Sequence, residues 1–316
     1  MRAATSSEQL VTARLHGSHT KSWPGWADWL AQVPLFSGLS KRQQKQLAQI
    51  ARLRWFGDGR TVVRAGTPGD AFYAILNGHA RLETPDGHVR ELGDMDCFGE
   101  LSLIDGKPRA ATVVTVGSIS VGRIARSDFL ALLREQPAIG VGIAQALVAT
   151  IRDTQGAAAE SPGRGAADDA GHLSAAEGAD QVPSLLASLS LFAGLSKRHL
   201  RKVARLAAAR RYADGAVVVR AGARGDALFV VIEGSARVQV PDGRASHLGV
   251  GDYFGELALL DGAPRAATVS ADGRLEVLRV PRQEFLKLMR EEPGVSLTVV
   301  RGLVKLIRGL QVEGAA

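Results

Sequence analysis

Cysteine occurs once in 316 residues, at Cys97. That excludes an internal disulfide framework and fits a reducing cytoplasm. No apolar run approaches the ~18 residues a membrane helix needs, so no membrane partner is expected. Residues 1–18 hold no uninterrupted apolar stretch, which argues against a secretory signal. His16 and His19 have a metal-compatible spacing, but no cysteine or carboxylate cluster joins them. They read as solvated, and no metal is expected. Gly249-x-Gly251 lacks the third glycine of a dinucleotide fingerprint. With no nucleophile elbow or paired carboxylates elsewhere, an enzyme is not expected.

What is present is a repeated unit. Length alone suggests two domains, and 46% apolar residues suffice for their cores. Leu35-Phe36-Ser37-Gly38-Leu39-Ser40-Lys41-Arg42 returns as Leu191-Phe192-Ala193-Gly194-Leu195-Ser196-Lys197-Arg198, an offset of 156. Arg64-Ala65-Gly66, Gly69-Asp70-Ala71 and Pro85-Asp86-Gly87 return at the same offset. The register never slips, so the units share their turns as well as their cores. Between them, residues 155–183 are rich in Ala, Gly and acidic side chains and carry a net −4. Such a stretch has little to bury and reads as a flexible linker. It leaves +11 on the rest of a chain whose total is +7. These charges read as solvated basic faces unless they converge on a pocket. The expected organisation is an N-terminal extension (1–26), one unit at 27–154, the linker at 155–183 and a second unit at 184–312.

Each unit opens with a helical pattern, 40–52 in the first copy. Short strands follow at 61–64, 71–76 and 80–83, then a hairpin turn at Pro85-Asp86-Gly87 and more β pattern at 112–124. Helical endings come last, at 127–154 and 282–310. The fold class is therefore mainly β with flanking α: two tandem antiparallel rolls or sandwiches.

The closest match between the copies is 98–113 against 254–269. Thirteen of the 16 positions are identical, and the differences are Ser102/Ala258, Ile104/Leu260 and Lys107/Ala263. Near-identity in a segment with glycines, a carboxylate and an arginine points to a retained task. Gly99 permits a tight strand exit. Residues 100–103 begin a helical turn whose free N–H groups favour an anion. Glu100 can accept from a hydroxyl. The Asp105-Gly106 turn and Pro108 bring the chain back, so that Arg109 can face a phosphate. A ligand with a phosphate and a neighbouring hydroxyl fits this layout. The alternative is that Glu100 and Arg109 form a structural ion pair.

Phe98-Gly99-Glu100-Leu101 through Pro108-Arg109-Ala110-Ala111-Thr112-Val113, and its second copy, resemble the phosphate-binding cassette of the cyclic nucleotide-binding domain family. That family includes the catabolite activator protein and the regulatory subunits of cAMP-dependent protein kinase. The resemblance covers about 23–154 and 183–310. It implies tandem β-rolls of double-stranded β-helix or jelly-roll type. It also implies that Glu100 and Glu256 bind a ribose 2′-hydroxyl and that Arg109 and Arg265 pair with a cyclic phosphate. Gly99, Leu101, Ala110, Gly255, Leu257 and Ala266 would supply backbone contacts. Ala110 and Ala266 stand where cGMP-selective relatives tend to place Thr or Ser, which implies cAMP over cGMP. The implied function is a cytoplasmic cyclic nucleotide receptor that transmits binding by helix rearrangement to a protein partner.

Other features refine this reading. Met95 stands where the second copy has Gly251; if that turn needs φ > 0, Met costs ~1 kcal/mol and the second site is the tighter. Cys97 reads as a small core or pocket-edge residue. Trp23, Trp26 and Trp29 suggest a leading helix packed on the first roll or on the second domain, with a partner-docking anchor as the sharper alternative. Arg210-Arg211-Tyr212-Ala213 resembles a kinase pseudosubstrate, but the offset places it inside the roll, and the N-terminal segment has no paired arginines. A regulatory subunit of a separate catalytic chain stays as an alternative. So does a transcription-associated regulator without a helix-turn-helix, although DNA is not an expected partner. Val299, Leu303, Leu306 and Leu310 form an apolar seam that packs either on its own roll or on a second copy as a homodimer. Arg301, Lys305 and Arg308 form the wet face of that helix.

Overall fold

The computed structural model describes residues 26–155, 178–241 and 243–313. Helix α1 (Trp26–Leu30) leads into a 3-10 turn at Pro34–Phe36 and helix α2 (Lys41–Ile50). Ser40 caps α2 through a capping box with Gln43, worth ~1 kcal/mol. Strands β1 (Ala51–Phe56), β2 (Thr61–Val63), β3 (Ala71–Glu83), β4 (Val89–Leu92) and β5 (Cys97–Phe98) follow. Then come α3 (Glu100–Asp105), β6 (Thr112–Ala125), α4 (Arg126–Glu135) and α5 (Pro137–Gln155). The second unit runs α6 (Gly178–Ser188), α7 (Lys197–Leu206), β7 (Ala208–Tyr212), β8 (Val217–Val219), β9 (Ala227–Gln239), β10 (Ala245–Leu248) and β11 (Tyr253–Phe254). It ends with α8 (Glu256–Asp261), β12 (Thr268–Pro281), α9 (Arg282–Glu291) and α10 (Pro293–Glu313).

Each unit holds one antiparallel six-stranded sheet, and neither closes into a barrel. The orders are β1-β6-β3-β4, with β2 on β6 and β5 on β3, and β10-β9-β12-β7, with β8 on β12 and β11 on β9. Register repeats with the sequence: Ala71 faces Ala125, and Ala227 faces Pro281. The fold is thus two tandem β-rolls with flanking helices, as the repeat implied. Each roll has its own apolar interior. A third, continuous cluster joins the helices of both units.

Several boundaries differ from the sequence reading. The strands expected at 71–76 and 80–83 are one strand, bent where its register shifts between Ile75 and His79. Both helical endings are broken in two, before Pro137 and before Pro293. Proline disfavours the α conformation in the residue ahead of it, and Gln136 (φ −130°) and Glu292 (φ −118°) are not helical. Helix α6 begins at Gly178, so the last six residues expected as linker are helical. Trp29 is buried, in line with packing, whereas Trp23, His16, His19 and the side chain of Trp26 lie outside the described residues. Arg210, Arg211 and Tyr212 pair along β12, which places them in the roll.

Part of the seam on α10 packs on the first unit, an arrangement the sequence reading did not consider. Val299 and Leu303 are fully buried, and α10 lies against α5, the last helix of the first unit. Full burial of one such side chain contributes ~1.5–3 kcal/mol. Arg301 and Lys305 are exposed as expected, but Arg308 is not on a wet face: its side chain is 21% exposed and paired with Asp105.

Candidate functional site

Gly99 joins β5 to α3 with φ 83°, a left-handed conformation. A Cβ there would overlap Arg109 Nη1 and stand 2.9 Å from the Ala71 carbonyl oxygen. The missing side chain is what lets the guanidinium lie against the strand exit. Gly255 repeats this arrangement against Arg265 and Ala227. The arginine backbone is fastened on both sides. The Arg109 N–H donates to Thr67 O (2.8 Å) and the Arg109 carbonyl oxygen accepts from Gly66 N–H (2.9 Å); Arg265 does the same with Ala223 and Gly222 (2.8 Å each).

The Arg109 side chain is 3% exposed. Its Nη2 donates to Asp70 Oδ1 at 3.0 Å, and its guanidinium lies 5.8 Å from the Tyr73 ring centroid. Its Nη1 is buried without a hydrogen-bond partner. Asp70 is shared, because Arg123 Nη2 donates to its other oxygen at 3.0 Å. One carboxylate therefore faces two guanidinium groups, which leaves a net positive charge at the floor of the site. Burial alone would raise the Asp70 pKa, but the hydrogen bonds and charges of Arg123 and Arg109 outweigh it and hold the carboxyl below its usual range. In the second unit Arg265 Nη2 donates to Ala227 O (2.8 Å), with Asp226 Oδ1 at 3.5 Å. Asp226 is shared with Arg279 at 2.6 Å, and Phe229 takes the place of Tyr73 at 5.6 Å.

Glu100 does not pair with Arg109, so the structural ion pair considered above is not formed. Burial pushes the Glu100 carboxyl above its ordinary range; its own backbone N–H and the charges of Arg308, Arg90 and Arg109 pull the other way. Gly99, Glu100, Leu101, Arg109 and Ala110 all line one cavity of about 230 Å³, with Cys97 and Arg308 among its other walls. Burial, then the Glu100 and Asp96 charges, push the Cys97 thiol up to about 12, so it stays protonated, as a pocket-edge packing residue would. In the second unit Gly255 and Arg265 line a cavity of only about 10 Å³, room for at most one water. Glu256 and Ala266 are half-buried outside that cavity, and the Leu257 side chain is in the core.

Met95 is the one non-glycine residue with positive φ (74°) among the described residues, and Gly251 has φ 88°. The turn does require the left-handed region. Sequence reasoning missed Asp70, Asp226, Arg123 and Arg279. The repeat of Gly69-Asp70-Ala71 was visible, but nothing in it marked the aspartate as the arginine's partner. No helix among the described residues is long and apolar enough to cross a membrane, and no three His, Cys, Asp or Glu side chains gather there.

The profile of the family described as "Cyclic nucleotide-binding domain" matches residues 53–136 and 209–292, more than half the chain and again 156 apart. The chain is 30% identical over 287 residues to a cAMP-dependent protein kinase regulatory subunit of Mycosarcoma maydis, covering 83% of this chain and 47% of that protein. It thus spans about half the length of that curated relative. Among solved structures, the regulatory domain of Toxoplasma gondii PKA with cAMP is 26% identical, covering 91% of this chain and 95% of that one, with a TM-score of 0.34. The N-terminal domain of a transcriptional regulator from Streptomyces coelicolor A3(2) is 30% identical, covering 40% and 94%, with a TM-score of 0.37.

Proposed function

Because the chain belongs to the cyclic nucleotide-binding domain family, we propose that it is a cAMP receptor with two sites per chain and no catalytic centre of its own. The observation that carries this reading is Arg109. A buried guanidinium that shares its carboxylate partner with a second arginine and, among the described residues, keeps Nη1 unpartnered is costly unless an anion completes it. Arg109 and Arg265 take the cyclic phosphate, and Glu100 and Glu256 take the ribose hydroxyl. Gly99, Leu101, Ala110, Gly255, Leu257 and Ala266 contribute backbone contacts.

The chain acts in the cytoplasm on a protein partner. That partner being a separate catalytic chain is favoured by the 30% identical regulatory subunit. Calorimetry with cAMP on the full chain tests the reading. Two ligands bind per chain, Arg109→Ala and Arg265→Ala each remove one, and cGMP binds more weakly at both sites. Unchanged stoichiometry and affinity in the double variant would overturn the assignment.

A further inference from the structure

The two units meet through their last helices. Helix α5 lies against α10 and also packs on α8 and α9 of the second unit, while α10 packs on α3 and α4 of the first. Arg152 on α5 donates from Nε to Asp261 Oδ2 at 2.7 Å. Arg308 on α10 donates from Nε to Asp105 Oδ2 at 2.7 Å. Arg152 and Arg308 stand 156 residues apart, as do Asp105 and Asp261. All four side chains are 21% exposed or less. Where position i of one unit meets position j of the other, and j meets i, the contact has the form of an isologous two-fold interface. Such a surface is self-complementary. On these charged pairs alone, a first unit would fit another first unit as well as it fits the second.

The two-fold passes through a position where the copies differ. Gly140 on α5 and Ser296 on α10 are counterparts, again 156 apart, and they face each other: a Cβ on Gly140 would overlap Ser296 Oγ. In a two-fold interface only a residue at the axis meets its own counterpart. Both residues are buried, and Ser296 Oγ donates to the Pro137 carbonyl oxygen at 3.1 Å. Glycine within a helix is destabilising relative to alanine, so its place in α5 needs a packing reason. The reason is the room that the absent side chain leaves for the Ser296 hydroxyl. Two first units would bring two glycines to the axis and leave that room empty. Two second units would bring two serines into room that holds one.

We propose that the last-helix surface of each unit is shaped for a second cyclic nucleotide-binding unit, and that Gly140 opposite Ser296 restricts the first unit's partner to the second. The matched arginine–aspartate pairs supply the general fit. The axial position supplies the choice, chiefly by excluding the wrong pairing. If the axis is a true two-fold, the contact survives exchange of its two residues. A serine at 140 and a glycine at 296 make the same pair, with the hydroxyl now donating to the carbonyl oxygen of Pro293, the counterpart of Pro137.

The test is denaturant unfolding of the full chain carrying Gly140→Ser, Ser296→Gly or both. Gly140→Ser crowds the axis with two serines and lowers the midpoint most. Ser296→Gly loses a hydrogen bond and lowers it less. The exchanged double variant returns close to the wild-type midpoint, above both single variants. A double variant no more stable than Gly140→Ser overturns the proposal, and so does Gly140→Ser at the wild-type midpoint. Gly142→Ser is the control. A Cβ at Gly142 would crowd Leu39 and the Gly38 carbonyl oxygen, inside the first unit, so Ser296→Gly should leave its loss unrepaired. Repair of Gly142→Ser would mean that the rescue is general, and the axial contact would lose its role. Should Gly140→Ser not fold, recovery of a folded chain in the double variant supports the proposal, and failure to recover overturns it.

Discussion

Replacing Gly99 by alanine separates the glycine's backbone role from its role beside the arginine. Any L-residue at φ 83° pays for the left-handed conformation, ~1–2 kcal/mol. Gly117 supplies the comparison: it has φ 75°, is exposed, and a Cβ there would meet nothing within 4 Å. Gly117→Ala should therefore lose ~1–2 kcal/mol of stability and leave cAMP affinity unchanged. Gly99→Ala pays the same backbone cost and also overlaps Arg109 Nη1, with Ala71 O at 2.9 Å closing the other side. The guanidinium can move only by leaving Asp70. A charge-assisted contact to the ligand is worth ~1.5–3 kcal/mol, so first-site affinity should fall roughly 10- to 150-fold. Denaturant unfolding and calorimetry, both on the full chain carrying Arg265→Ala, read the two quantities separately. If Gly99→Ala binds cAMP within about threefold of Gly117→Ala, the arginine is not held by the glycine and the argument fails.

Met95→Gly should raise stability by ~0.5–1 kcal/mol, the left-handed cost relieved less the entropy glycine adds to the unfolded chain; a lower denaturation midpoint would contradict the strain assigned to φ 74°. Glu100→Gln should raise the melting temperature at neutral pH while weakening cAMP binding. The folded pKa of Glu100 lies above its ordinary 4.5, so the folded state holds the extra proton, and stability falls as pH rises from 4.5 through the raised value; the variant should lose that slope. Hydrogen exchange should change on α4, α5, α9 and α10 when cAMP binds; identical protection with ligand demonstrably bound would mean the signal leaves by another route.

The repeat made most of the fold readable, because a constant offset carries strand order, turns and register from one copy to the other. Pro137 and Pro293 also announced the helix breaks, but a continuous apolar pattern masked them. The cassette was readable for a different reason: its glycines and arginine sit in nearly identical sequence, where a drifting core would not have preserved them. What the repeat could not reveal is which copy's arginine meets which copy's aspartate. Arg152 and Arg308, like Asp105 and Asp261, occur at matching positions, so pairing within a unit and pairing across units leave the same trace in the sequence. The structure shows the exchanged arrangement. That exchange also accounts for the wet face misassigned to Arg308, since helical periodicity reports a face but not what covers it. The same limit applies to the cavities. Two cassettes identical at 13 of 16 positions enclose about 230 and about 10 Å³. Inside the cassette, Ser102 but not Ala258 gives the opposite unit's arginine a hydroxyl to approach, a difference the sequence shows without showing which arginine meets it.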